Sequence, residues 1–211
     1  MQKVALINYG SGNLRSAEKA LIRAADGGSE IVVTDDPEVI SRADRIVLPG
    51  VGAFAACMAA FEARPGVDAA MAEAVHIKGA PFLGICVGMQ LLATRGLEFG
   101  ETAGLGWIEG DVKRLETTDP AIKIPHMGWN GLTGVVDHPL FAGLADGQTV
   151  YFTHSFAFFP KDERDVAAYV DHGGRFPAAV ARGKVAGVQF HPEKSQGPGL
   201  DLLARFLEWR P

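Results

Sequence analysis

Two cysteines in 211 residues, Cys57 and Cys86, exclude a disulfide framework and make a reducing cytoplasm the expected compartment. Basic charge is not in excess: 20 Lys and Arg stand against 25 Asp and Glu, a net charge of −5. That balance argues against nucleic acid or an anionic membrane as the main partner. No apolar run reaches transmembrane length. Met1–Asn8 enters a strand-like stretch at once, without a basic start and a long apolar run, so no signal peptide is expected. There is no Gly-x-x-x-x-Gly-Lys, which leaves nucleotide hydrolysis unsupported, and no Cys/His spacing suited to zinc. Neither a metal nor a cofactor is expected. With no repeat, low-complexity tract or long linker, residues 1–211 read as one domain.

What is there is 47% hydrophobic and 21% charged, ordinary for a soluble globular chain. Val4–Asn8, Glu30–Thr34, Arg45–Pro49 and Phe82–Ile85 read as short buried strands. Leu14, Ala17, Leu21 and Ile22 fall at helical spacing after Asn13, a candidate N-cap, and an alanine-rich helix is expected from about Ala53. This alternation predicts an α/β fold: an open, mainly parallel sheet flanked by helices. The second half changes character. Thr149–Phe158 and Val166–Val170 look like strands, and Ala178–Ala181 and Val185–Phe190 flank a hairpin-like Arg182-Gly183-Lys184. They form an antiparallel addition. A closing helix carries Leu200, Leu203, Ala204 and Leu207 on one face.

Cys86 ends the strand-like Phe82–Ile85 inside Gly84-Ile-Cys-Val-Gly88 and leads into a helix-like stretch. This is the grammar of a nucleophile elbow, in which glycines let a strand and a helix turn sharply against each other. The sulfur would sit near the positive end of that helix. A lone Gly-x-Cys-x-Gly serves a structural cysteine equally well, so other residues must decide. Phe190-His-Pro-Glu193 follows a strand directly. Glu193 can accept from one ring nitrogen of His191 and fix the other as a base toward Cys86. The base is needed because an ordinary thiol, with a pKa of about 8.5, is mostly protonated at neutral pH. Acid–base help of this kind contributes roughly 10²- to 10⁴-fold. Pro49-Gly50-Val51-Gly52 ends a neighbouring strand. Its backbone N–H groups, with that of Val87, are candidates for an oxyanion hole, each donor contributing about 2.7–4 kcal/mol in the transition state. His76, His138 and His172 read as surface residues and Cys57 as core.

Together, Pro49–Gly52, Gly84–Gln90 and Gln189–Glu193 resemble, in order and over nearly the whole chain, the three site motifs of the class I glutamine amidotransferases, whose fold is flavodoxin-like. The resemblance implies Cys86 as nucleophile, His191 as base and acid and Glu193 as its orienting partner. It implies that L-glutamine is held by Gln90, Gly52 and the backbone at Ser155 and Phe156, with Gly50, Val51 and Val87 around the oxyanion. The family often has Tyr at Phe156; backbone contacts survive that change and a hydroxyl contact does not. Asn8–Ser16, Pro49–Phe54, Pro125–Asn130, Tyr151–Ser155 and His191–Ser195 are similar to the branch of the family that supplies ammonia to a (β/α)₈-barrel cyclase of histidine biosynthesis. That branch implies a heterodimer, with Asn13, Trp129, Tyr151 and Lys194 at or near the interface. It also suggests that the Val51 peptide rests with its carbonyl, rather than its N–H, toward the oxyanion position until the partner is ready. Other readings share the triad: a glutaminase serving another amidotransferase, a free-standing cysteine hydrolase of γ-glutamyl compounds, and an interaction subunit with a vestigial site.

Overall fold

The computed structural model describes residues 1–117 and 119–211. In chain order the first half runs β1 (Gln2–Ile7), α1 (Leu14–Ala25), β2 (Ser29–Thr34), α2 (Pro37–Ser41), β3 (Arg45–Gly50), α3 (Phe54–Glu62), α4 (Val67–Ala72), β4 (Phe82–Cys86) and α5 (Val87–Gln90). The second half runs β5 (Arg95–Gly96), β6 (Thr102–Ala103), β7 (Gly110–Arg114), β8 (His126–Thr133), β9 (Thr149–His154), β10 (Phe156–Pro160), β11 (Val166–Asp171), β12 (Arg175–Arg182), β13 (Val185–Val188) and α6 (Gln196–Glu208).

A nine-stranded sheet of order β2-β1-β3-β4-β13-β12-β11-β8-β9 carries the architecture. The five strands from β2 to β13 are parallel neighbours. The remaining pairings, out to β9, are antiparallel. Strands covered on both faces should be apolar on both, and β3 and β4 are buried at every residue. The chain steps from β1 to β2 in one direction and from β3 to β4 in the other. Right-handed crossovers then place α1 and α3–α4 on opposite faces, and α1 packs against α6. In α3 the buried residues Phe54, Cys57, Met58 and Phe61 recur at helical spacing. The reversal of strand order between β1 and β3 opens a crevice at their C-terminal ends, the usual ligand position in such sheets. The loops after β1, β3 and β13 carry Asn13, Val51 and His191 to it, and the last residue of β4 is Cys86.

Four expectations need correction. The segment Thr149–Phe158 is not one strand: it breaks at Ser155, and β10 leaves for a second, four-stranded sheet of order β10-β7-β5-β6. The strand expected to run to Phe190 stops at Val188, although the Gln189 N–H still bonds the Ala178 carbonyl at 2.8 Å. Asn13 does occupy the cap position of α1, but its side chain makes no capping bond; its carbonyl accepts from the Ser16 and Ala17 N–H groups instead. The inward face of α6 is turned relative to expectation. Leu202, Leu203, Phe206 and Leu207 are buried, while Leu200 and Ala204 are half-buried, because the bulk of Leu202 and Phe206 is what fills the core.

Candidate active site

At the end of β4 the backbone turns so sharply that Cys86 adopts φ 55°, ψ −113°, a left-handed value that side chains avoid. Two glycines permit it. A Cβ on Gly84 would lie 2.5 Å from the Gly88 carbonyl oxygen, and one on Gly88 would overlap the carbonyl of Leu48 on β3. The elbow thus works by packing three backbones together. The helix that follows is a single turn, so the dipole expected to act on the sulfur is short. Val87 is its first residue, where the N–H has no partner within the helix. The side chain that donates to Cys86 Sγ is Gln189 Nε2, at 3.7 Å.

His191 sits just beyond β13, which pairs in parallel with β4, so the ends of two adjacent strands bring base and nucleophile together. Its loop is pinned to β9. The His191 N–H donates to the Tyr151 carbonyl at 2.9 Å, and Ser195 Oγ accepts from the Tyr151 N–H at 3.0 Å while donating to the His191 carbonyl at 2.6 Å. His191 Nδ1 lies 2.8 Å from Glu193 Oε1, both side chains being almost fully buried. The carboxylate accepts there, so Nδ1 carries hydrogen and Nε2 is left as the base. Nε2 has no hydrogen-bond partner of ordinary geometry, and neither has Glu193 Oε2. Burial exerts the largest single pull on the ring and lowers its pKa. Cys86 and Glu193 together outweigh burial and lift it to about 9.

A pocket of about 330 Å³ opens over this pair. Cys86, Val87, Gln90 and His191 line it together with Val51, Gly52, Ser155, Phe156 and Lys194. Gly50 does not. It lines a narrow cleft with Asn13, His191 and Glu193, and a Cβ on it would lie 2.7 Å from Tyr9 Oη. Gln90 Nε2 donates to the Phe156 carbonyl and to Gln189 Oε1, each at 2.9 Å. The Val51 N–H is turned to Ser11 Oγ at 3.3 Å, and the Val51 carbonyl accepts from Ser11 Oγ at 2.6 Å and Cys57 Sγ at 3.3 Å. The N–H of Val51, a candidate oxyanion donor, is thus engaged by Ser11, and its carbonyl, expected toward the oxyanion position, is held by Ser11 and Cys57. Cys57 is core as expected, but it also holds this loop.

Trp129, Tyr151 and Lys194 are neighbours. The two rings meet edge to face at 5.9 Å, and Lys194 Nζ lies 5.5 Å over the tyrosine ring. Asn13 lines the narrow cleft that His191 and Glu193 also line. Sequence reasoning missed Glu98, His154 and Thr153, which also line the pocket. Glu98 Oε2 accepts from the Phe54 N–H at 2.7 Å and so caps α3. Nothing in the periodicity marks it, because it lies in a loop between two-residue strands. Among the described residues no cluster of His, Cys, Asp and Glu is arranged to hold a metal ion, and no helix is long and apolar enough to cross a membrane.

Residues 5–209 match the family described as glutamine amidotransferase class-I. The chain belongs to the class I glutamine amidotransferases. Among curated relatives of this amidotransferase, imidazole glycerol phosphate synthase subunit HisH of Caulobacter vibrioides is 63% identical, with all of each chain covered. The subunit of the same name from Rhodospirillum rubrum is 55% identical over 99% of this chain and 100% of its own. Among solved structures, one described as a glutamine amidotransferase aligns over 97% of both chains with a TM-score of 0.71 at 20% identity. A glutamine amidotransferase from Thermotoga maritima covers 98% of this chain and 96% of its own, with a TM-score of 0.66 at 17% identity. At such identities these two speak for the fold, and they agree with the α/β amidotransferase architecture expected from the sequence.

Proposed function

We propose that this amidotransferase is the glutaminase subunit of imidazole glycerol phosphate synthase. Cys86 Sγ, its proton already held on His191 Nε2, attacks the side-chain amide carbon of glutamine. The tetrahedral intermediate collapses by breaking the C–N bond, His191 returns the proton to the leaving nitrogen, and ammonia departs from a γ-glutamyl thioester. Water, deprotonated by the same nitrogen, then releases glutamate. Glu193 keeps the imidazole in the tautomer that both steps need. Gln90, Gly52 and the backbone at Ser155 and Phe156 hold the amino-acid end of glutamine, and Glu98 supplies a carboxylate for its ammonium group.

The observation that carries this reading is the buried Glu193–His191 pair whose free Nε2 belongs to the same pocket as Cys86. The full-length likeness to the HisH subunits supports a partner subunit of the same synthase as the acceptor, read here as a (β/α)₈-barrel cyclase. Ammonia released there completes imidazole glycerol phosphate and an aminoimidazole carboxamide ribotide. Bulk water would protonate it and abolish its nucleophilicity, so the path must be closed by the heterodimer. Trp129, Tyr151, Lys194 and Asn13 are assigned to or near that interface. The Ser11 bond to the Val51 N–H favours a partner-gated glutaminase over a free-standing hydrolase, because freeing that donor takes a peptide rotation that the flanking glycines make cheap.

The test is co-purification with the barrel cyclase, followed by synthesis from glutamine and from ammonium salt. Cys86→Ala should abolish the first and spare the second. Loss of both would place Cys86 outside the proposed role.

A further inference from the structure

Behind the pocket wall, the β8–β9 ribbon carries a row of side chains whose hydrogen bonds end at the Phe156 carbonyl of the proposed substrate clamp. Asn130 Nδ2 lies 3.1 Å from His126 Nε2, His126 Nδ1 lies 3.0 Å from His154 Nε2, and His154 Nδ1 lies 2.8 Å from the Phe156 carbonyl oxygen. The direction of each bond follows from the two ends of the row. A carbonyl oxygen only accepts, so His154 Nδ1 carries hydrogen and its Nε2 is a lone pair that accepts from His126 Nδ1. At the other end, Asn130 Nδ2 donates to the Asp171 carbonyl at 2.7 Å and Asn130 Oδ1 accepts from the Gly131 N–H at 2.8 Å. That fixes the amide, so Nδ2 also donates to His126 Nε2, which again leaves hydrogen on His126 Nδ1. The two deductions agree: both rings are neutral Nδ1–H tautomers.

Their surroundings keep them neutral. Burial first, then the neighbouring histidines, lowers His126 to about 3. Burial lowers His154 to about 4 although its bond to the Phe156 carbonyl opposes the shift. A proton added to either ring would set two N–H groups face to face. His172 stacks on His126 with ring centroids 4.1 Å apart, and its Nε2 donates to the Lys123 carbonyl at 2.9 Å. At the inner end, the Phe156 carbonyl that receives His154 also receives Gln90 Nε2. With both amide hydrogens of Gln90 engaged, Oε1 is the atom it has left to meet a ligand.

We infer that His126 and His154 are positioning residues for glutamine, holding the Phe156 carbonyl, and through it Gln90 and the Ser155–Phe156 backbone, in the geometry that the amino-acid end of the substrate meets. The inference rests on the glutaminase reading of the pocket. An imidazole suits the task because it donates and accepts in one rigid plane and carries no charge in this tautomer.

Two measurements test it. Ring-nitrogen NMR shifts of the full chain should show both histidines as Nδ1–H at pH 7 and still neutral at pH 5; an Nε2–H tautomer or a protonated ring at pH 5 for either would overturn the row. In the complex with the cyclase, His126→Phe keeps an aromatic ring but ends the row. KM for glutamine should rise about three- to tenfold, the weight of one neutral hydrogen bond, with kcat within about twofold. His126→Gln, which can both accept and donate, should bring KM back. An unchanged KM, or a fall in kcat alone, would reduce the row to a structural role. If the wild-type complex hydrolyses no glutamine, the glutaminase reading fails; if it does and KM stays put, this inference alone fails.

Discussion

His191 and His154 line one pocket and are about equally hidden, 2% and 7% exposed, yet the first is lifted to about 9 and the second lowered to about 4. Both lose water, and that loss alone pushes an imidazole toward neutrality. His191 differs in facing the Glu193 carboxylate, whose charge is of the opposite sign, with Cys86 as its other polar neighbour. His154 faces a carbonyl and another imidazole, which offer hydrogen bonds and no compensating charge. One pocket can thus hold a histidine that moves protons and another that must not, and the choice lies in the atom placed against each nitrogen.

The comparison breaks most visibly at Glu193. Glu193→Gln keeps the side chain's shape and removes its charge, so His191 should move toward the ordinary value of about 6.5. Glutaminase turnover in the complex should fall roughly a hundredfold, within the range for lost acid–base help. An NMR titration of the ring alongside kcat checks both. The next effect is on stability. A raised histidine stabilises the fold below its unfolded pKa and loses that contribution as pH rises through its folded value. His191 should therefore cost about 2 kcal/mol between pH 7 and pH 9. Lowered histidines act in reverse: their contribution is complete above about 6.5 and is lost as pH falls toward the folded values. His126 and His154 should each cost about 2 kcal/mol between pH 7 and pH 5. Urea unfolding across pH should show two falling limbs. Glu193→Gln should flatten only the alkaline one and His154→Gln should about halve only the acid one; a single variant that weakened both would merge the two sites.

How much of this was legible beforehand depended on the local pattern. β3, β4 and β13 are near-continuous apolar runs that end in or just before glycine or a triad residue, so their place in the sheet and the triad's position could be read directly. β5 and β6 are two residues each and β7 reads Gly-Asp-Val-Lys-Arg, with only Val112 buried, so the second sheet left no periodic trace. The break at Ser155 falls inside an unbroken strand-like stretch and follows from tertiary pairing alone. His126 and His154 stood inside runs that pointed to the family, but their partnership depends on the β8–β9 register, which sets them directly opposite each other. His172 was read as a surface residue; half-buried, it is the outer lid of that pair.

The left-handed backbone at Cys86 carries a consequence for the chain's history. Elsewhere in a protein, alanine is safer than glycine because glycine loses more freedom on folding. At position 86 the order should invert: Cys86→Gly, relieved of its Cβ, should be more stable than Cys86→Ala by about 1 kcal/mol in chemical denaturation. Neither variant can form a thioester. Selection for durability alone would thus favour a residue that cannot react, and the cysteine is kept at this turn against the preference of the backbone that presents it.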